Sequence, residues 1–455
     1  MNGARSLAST LQDGAIRDLR IRARFGKLAY LLRHSVQAPF YGFVHGHGVL
    51  TEDERAGVGR LVGSPAPEVI LEFEQKFASL IGSGEAVAFA AARMAFFVLM
   101  KALSIGRGDE VILLGATCAV MATAVQRAGA TPIYSDIDPA TFGSSARHIK
   151  SRITPRTRMI VAQHSFGIPC EIEPIVASAR ASRIFLLEDC ALTVGSKIDG
   201  TAVGNFGDAA LFSTDRSKPL NTMIGGLVFT RDTGLAAELR NLQAAAPDLS
   251  SPKQRALWRR FLIGQTLYGP TRYGRLALRD TVTRVAGPRS KRPFLEEDFT
   301  VASGKSYPYP ARMPAFLAAI GLAEIQRWHA VAQQRKTLLR ALLDVAQRHT
   351  IASFIPQAYC NRRLDIVPLR LAWTQPNGEA MRAILSSFVD VSWTWFLQPI
   401  VGTKEPLENF SYHAGTCPVS EQVGPNMINL PCNVPVESSG DLVSLFENAL
   451  LASGN

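Results

Sequence analysis

Between about residues 65 and 240 short apolar runs alternate with amphipathic helical stretches, and this alternation narrows the fold more than any other feature of the chain. AVAFA, DEVILL, TPIYSDID, RMIVAQHSFG and RIFLLEDC read as strands. EVILEFEQKFASLIG, AARMAFFVLMKAL, ATCAVMATAVQRAG and EIEPIVASARA read as the helices between them, the first ending at Gly82. Strand after strand separated by helices predicts an α/β fold, a mainly parallel sheet covered by helices on both faces. At 455 residues the chain is too long for one ordinary core. The expected division is a basic N-terminal extension (1–64), a large α/β domain (65–240), a basic helical linker (241–300) and a smaller C-terminal α+β domain (301–455). In that last part AFLAAIGLAEIQRWHAVAQQRKTLLRALLDVAQ reads as long helices and DIVPLRLAW as short strands.

Composition excludes several function classes. No run reaches the roughly 18 apolar residues of a membrane span, and the opening MNGARSLASTLQDG lacks the apolar centre of a signal peptide, so a soluble cytoplasmic protein is expected. Six scattered cysteines without a CxxC pair predict reduced thiols and no metal site, and the pair His45 and His47 has no nearby residues to complete one. The net charge of +11 concentrates in two clusters. One holds Arg17, Arg20, Arg22, Arg24, Lys27 and Arg33, the other the basic residues between Lys253 and Arg292. Both interleave with apolar residues, so either solvated helix faces or helices resting on an anionic surface such as a membrane fit them. No nucleic-acid motif accompanies them, and no nucleic-acid partner is expected.

In an open parallel sheet ligands sit beyond the carboxyl ends of the strands. Three places there carry polar chemistry: Asp189, with Glu188, closing RIFLLEDC; the turn FSTDRSKPLNTMIGG, with Ser213 and Lys218; and Ala91-Ala92-Arg93 after AVAFA, where helix amides can hold an anion. A buried carboxylate needs a cationic partner, so Glu188 or Asp189 is expected to have one. Burial and the charge of Arg216 are expected to lower the pKa of Lys218. A lysine for an aldehyde, a carboxylate for a ring nitrogen and donors for a phosphate are what pyridoxal 5'-phosphate requires. A solvated surface lysine is the alternative for the turn taken alone.

The same residues resemble the DegT/StrS sugar aminotransferases, a family of fold type I pyridoxal phosphate enzymes. The resemblance runs from about Phe73 to the end, through FEQKFASLIG, GRGDEVILL, AGATPIYSDID, FLLEDCALTVG, AVGNFGDAALFSTDRSK followed by GG, ARMPAFLAAIGLAEIQRW and CPVSEQVGPNMINLPCNVPV. It implies that Lys218 forms the Schiff base, Asp189 faces the pyridine nitrogen and Ser213 binds the phosphate. It implies amino transfer from glutamate to a keto-sugar, nucleotide-linked, for amino-sugar, polysaccharide or secondary-metabolite synthesis, in a homodimer. Dehydratases of the family carry histidine in place of the lysine, and Lys218 speaks against that chemistry. This chain departs from the family pattern at three places. Ala91-Ala92-Arg93 replaces Ser-Gly-Thr, leaving phosphate to amides and the Arg93 guanidinium. Leu192 stands for a glutamine or histidine, and Cys118 for a stacking aromatic. These departures keep open a catalytically weak member that binds cofactor or a partner at an anionic surface. His164, in VAQHSFG, falls near a family histidine and reads equally as a cofactor contact or a core residue. Arg312, in YPARMP, reads equally as a substrate-carboxylate or phosphate ligand or a surface salt bridge. Trp393 and Trp395 alternate as in a strand and read as packing.

Overall fold

The computed structural model describes residues 26–44, 50–286, 294–295, 299–300 and 306–452. Arg17, Arg20, Arg22, Arg24, His45, His47, Arg289, Lys291 and Arg292 lie outside the described residues.

The apolar runs form one seven-stranded sheet. Its members are β1 (Glu85–Phe89), β2 (Glu110–Leu114), β3 (Thr131–Ser135), β4 (Thr157–Gln163), β5 (Phe185–Asp189), β8 (Ala209–Ser213) and β9 (Gly226–Thr230), in the order β1-β9-β8-β5-β4-β2-β3. Two short strands, β6 (Lys197–Ile198) and β7 (Thr201–Ala202), form a hairpin outside it. Strands β2, β3, β4, β5 and β8 pair in parallel, and β9 runs antiparallel between β8 and β1. Along β4, Met159 and Val161 enter one core while Ile160 and Ala162 enter another, as expected of a strand buried on both faces.

Helices cover both faces. On one side lie α4 (Ala92–Ala102), α5 (Ala119–Ala128) and α8 (Thr233–Ala245), with α3 (Pro67–Ile81) against β1. On the other, α6 (Ala146–Lys150) and α7 (Ile172–Ser182) bury Ile149, Ile172 and Ile175. Helix α3 opens on Pro67, whose missing N–H costs nothing in a first turn, and gives way at Gly82. Helix α5 stops at Gly129, whose φ of 89° is the left-handed stop that glycine adopts without strain.

A second core lies around β11 (Arg370–Thr374) and β12 (Met427–Pro431), an antiparallel pair next to α12 (Gly378–Leu385) and α13 (Val436–Ala452). The expected boundary near 301 precedes α11 (Ala315–Gln347), which serves both cores: Phe316, Leu317 and Ile320 pack in the large one, Leu338, Leu342 and Val345 in the small one. DIVPLRLAW divides into β10 (Leu364–Asp365), paired with β6, and β11.

The chain before the sheet is bound into the molecule. Helical residues 26–36 (α1) lead to Tyr41, which exchanges backbone hydrogen bonds with Phe388 and Asp390. After α2 (Glu52–Arg60) and the sheet, α9 (Ser251–Thr266) and α10 (Tyr273–Ala286) return to α1. Leu31 and Phe40 share a small core with Tyr273 and Leu276. A Cβ on Gly274 would lie 1.9 Å from the His34 carbonyl oxygen, an approach only glycine permits.

Candidate active site

The parallel strands end at Leu114, Ser135, Gln163, Asp189 and Ser213 along one edge of the sheet; β1 ends there too, at Phe89, and β9 begins there at Gly226. The turn between β8 and β9 holds itself together. Thr214 N donates to Gly225 O (3.0 Å), Thr222 N to Thr214 O (2.8 Å) and Arg216 N to Met223 O (3.1 Å), and the Thr214 and Thr222 hydroxyls lie 2.6 Å apart. Space dictates the closing glycine pair. A Cβ on Gly226 would lie 2.2 Å from the Ala92 Cα, and one on Gly225, whose φ is 147°, 2.3 Å from Thr214 Oγ1. Because Ser213 pairs with Gly226, that close approach sets its hydroxyl beside the first turn of α4. Ala91 caps that helix with no side-chain hydrogen bond, and Met94 N donates to the Ala91 carbonyl (3.0 Å); a helix N-terminus of this kind favours an anion.

Lys218 sits in the turn with its backbone N donating to Asp215 O (2.9 Å) and its side chain half-buried. Burial lowers its amine below the ordinary lysine value; Cys118, Asp215 and Asp189 oppose the shift and Arg370 adds to it. The assisting cation is therefore Arg370, from β11, and not the expected Arg216. Arg216 instead lays its guanidinium over the Phe294 ring, 3.7 Å from the centroid, with Trp393 at 5.3 Å. Asp189 is buried, its Oδ1 accepting from Ala191 N (2.9 Å). Burial raises its carboxyl pKa, while the Ala191 amide and the charge of Lys218 pull it down.

Glu188 and Asp189, adjacent on β5, point opposite ways. Glu188 Oε1 accepts from Phe206 N (2.7 Å) and Gly207 N (2.8 Å), and Oε2 from Gly204 N (2.8 Å) and His164 Nε2 (3.1 Å). Cys170 N donates to His164 Nδ1 (3.0 Å), which assigns the ring proton to Nε2. Both ring nitrogens of the fully buried His164 are thus engaged inside the core. His164, Glu188 and Cys190 bring a nitrogen, an oxygen and a sulfur within 4.8 Å of one another. Their hydrogen bonds already use the ring and the carboxylate, and burial pushes the Cys190 thiol up to about 12.

The remaining expected residues divide. Cys118 precedes α5 and belongs to the lysine's surroundings: burial raises its thiol, and Lys218 and Arg93 act against that rise. No aromatic stands at 118, but the Trp395 ring faces Lys218 Nζ at 5.8 Å. Leu192 is buried and apolar. Arg93 turns one guanidinium nitrogen, Nη2, to the Leu295 carbonyl. Arg312 pairs with Asp248, its Nε and Nη2 donating at 2.9 and 2.8 Å in a half-exposed ion pair, the salt-bridge arrangement that was one of its two expected readings. Trp393 and Trp395 are not on a strand; Trp393 ends a single 3₁₀ turn, Val391–Trp393, and both rings face cations.

Residues 66–265 match the DegT/DnrJ/EryC1/StrS aminotransferase family. The matched segment, under half of the chain, is similar to that family. It carries Ala92, Arg93, Cys118, His164, Asp189, Leu192, Ser213 and Lys218, and Arg312 and Arg370 lie beyond it. Over 179 residues the chain is 38% identical to GDP-perosamine synthase of Caulobacter vibrioides, covering 39% of this chain and 48% of that one. It is also 38% identical, over 171 residues, to UDP-N-acetyl-3-dehydro-alpha-D-glucosamine 3-aminotransferase of Acidithiobacillus ferrooxidans, covering 37% and 46%. The matched part thus spans about half the length of these family relatives. The fold extends further. An aminotransferase from Psychrobacter cryohalolentis superposes with a TM-score of 0.67 at 20% identity over 89% of this chain and 98% of its own. The aminotransferase TlmJ from Streptoalloteichus hindustanus gives 0.64 at 21% identity over 92% and 100%.

Arg370 and Trp395 were not foreseen as site residues. The signal for the first was there, a lone charge inside the apolar run VPLRLAW. The second lies in an irregular segment and gives none.

Proposed function

We propose that the protein is a pyridoxal phosphate-dependent aminotransferase that moves an amino group from glutamate to a keto-sugar, nucleotide-linked, in amino-sugar or polysaccharide synthesis. One observation carries this reading: Lys218 and Asp189 reach the same end of adjacent parallel strands, close enough that each charge shifts the other's pKa. The donor set fits the cofactor, with the Ser213 hydroxyl and the α4 amides for its phosphate, Asp189 for its ring nitrogen and Lys218 for its aldehyde. When bound, that cofactor supplies an aldehyde and an electron-withdrawing ring. Lys218, its pKa lowered by burial, holds a larger share of neutral amine, the form that attacks a carbonyl and carries a proton between neighbouring carbons. Asp189 would hold that ring's nitrogen with its carboxylate. The Trp395 ring stands beside the lysine, 5.8 Å from Nζ. The named activities of the relatives support sugar as the acceptor class. A pair of copies is part of the reading, and light scattering checks it.

The test is visible absorption of the protein purified with pyridoxal phosphate, beside Lys218→Ala, before and after glutamate. A band that needs Lys218 and changes with glutamate supports the reading and opens a keto-sugar screen. No band, or a band indifferent to every amino donor, sinks it.

A second reading concerns an anionic surface. Residues 26–44 and 251–286 carry ten lysines and arginines against one acid, Asp280. The whole chain's surplus is +11. On α1 and α10, exposed Leu32, Val36, Val282 and Val285 stand among exposed Arg33, Arg272, Arg275 and Arg279. Charge with apolar side chains between suits an anionic membrane surface better than a purely polar polyanion. Among the described residues no helix is long and apolar enough to cross a membrane. Cosedimentation with phosphatidylserine vesicles, lost at high salt, is the expected result; indifference to vesicle charge removes this reading without touching the first.

A further inference from the structure

Arg370 is buried, only 4% exposed, and among the described residues it has no acidic partner at all. Its guanidinium is half used. Nη1 donates to the Trp393 carbonyl and to Asn429 Oδ1 (3.2 Å), and the flat face lies 4.1 Å from the Phe43 ring. The other edge is free: Nε is a buried donor without a partner, and Nη2 donates to nothing among the described residues. Asn429 Oδ1 also accepts from Trp395 N (2.7 Å), so the arginine is tied to the residue whose ring faces Lys218 Nζ. Trp395 Nε1 is a second buried donor without a partner. A buried cation whose Nε–H is orphaned loses hydration that nothing in the fold returns. The Nε–Nη2 edge is the fork that grips two coplanar oxygens side by side.

We propose that Arg370 binds a substrate carboxylate at this site through its Nε–Nη2 edge. The inference rests on the aminotransferase reading for the identity of the substrate, the amino donor, whose carboxylate adjoins the amine that must reach Lys218. It does not rest on that reading for the binding itself. Burial pushes the Arg370 guanidinium down to about 9, consistent with a cation lacking its anion. Arg312, foreseen in this role, is satisfied by Asp248, and Arg370 takes its place.

The experiment is calorimetric titration of the full chain, with and without pyridoxal phosphate, by glutarate, which has two carboxylates and no amine. Wild-type protein is expected to bind glutarate and not glutaramide. Arg370→Gln should weaken glutarate roughly 10- to 100-fold, the worth of hydrogen bonds to a charged group. Arg370→Lys, which keeps charge without the fork, should not restore it. Arg312→Gln should bind as wild type. If Arg370→Gln fails to fold, Asn429→Asp keeps the oxygen that Nη1 and Trp395 use, gives the arginine an internal anion, and should weaken glutarate as well. Glutarate binding unaltered by Arg370→Gln or by Asn429→Asp, or no carboxylate binding by wild type, overturns the inference. Two further arms identify the carboxylate's source. Arg370→Gln raises the concentration of glutamate and of alanine needed to change the visible band when the carboxylate is the donor's, and that of a keto acid alone when it is the acceptor's. The two readings fail separately. Glutarate binding that needs Arg370 without any Lys218-dependent band removes amino transfer and leaves the carboxylate site. A band that responds to glutamate equally in Arg370→Gln, with unaltered glutarate binding, does the reverse.

Discussion

The strand-end half of the site and the wall opposite it are built in different ways. Asp189, Ser213 and Lys218 come from two adjacent strands and one turn, their positions set by ladder register and by glycines that let backbones touch. The wall gathers Phe43, Arg370, Trp393, Trp395 and Asn429 from four separate stretches of chain, and Tyr273 of α10 braces it through Asp390. Local geometry fixes the first half, so changing it breaks the fold or the chemistry. Docking fixes the second, so changing it weakens recognition and stability by degrees.

Gly226→Val tests the first half most severely. A side chain there meets the backbone of Ala92, and overpacking against backbone costs about 1–3 kcal/mol or more. A large drop in melting temperature is expected, with loss of the cofactor band; a variant that melts as wild type does would show that the strand end yields and the contrast is false. Tyr273→Phe is the matching change behind the wall. It removes the 2.8 Å hydrogen bond to buried Asp390 Oδ2 and should cost about 1–3 kcal/mol in denaturant unfolding while the Lys218-dependent band remains. Loss of that band would mean that the wall governs the strand ends.

A pH series probes the support between the halves. Burial pushes Glu324, on α11, up to about 7, the Asn221 amide of the lysine turn holding it down in part. A carboxyl whose folded pKa exceeds its unfolded value stabilises most at low pH, and that contribution is lost as pH rises from about 4.5 to about 7. Across that window wild type should lose stability relative to Glu324→Gln, and parallel curves would refute the assignment. Arg312→Ala should do least. Its exposed pair with Asp248 is worth about 0–1 kcal/mol, and amine exchange should be unaffected.

The contrast also explains what the sequence makes legible. The sheet is readable because strands buried on both faces are written as continuous apolar runs, and the chemistry stands where those runs end. Ser213, Lys218 and Asp189 were readable for that reason. Resemblance assigned their roles, which periodicity could not. Cys118 was readable by position and His164 only as one of two alternatives, since the partners of each are remote in sequence. Arg312 and Arg370 look alike as letters. The first meets an acid across a loop and the second does not, a difference only tertiary structure expresses. Trp393 and Trp395 misled because alternation over three residues mimics a strand.

Helix α11 has a consequence for how the molecule comes apart. Its 33 residues span about 50 Å, with one half in the core beneath the sheet and the other in the core that carries Arg370. Unravelling either half strips apolar partners from both cores at once. Heat or denaturant should therefore undo the chain in a single cooperative event, lysine and arginine losing their surroundings together.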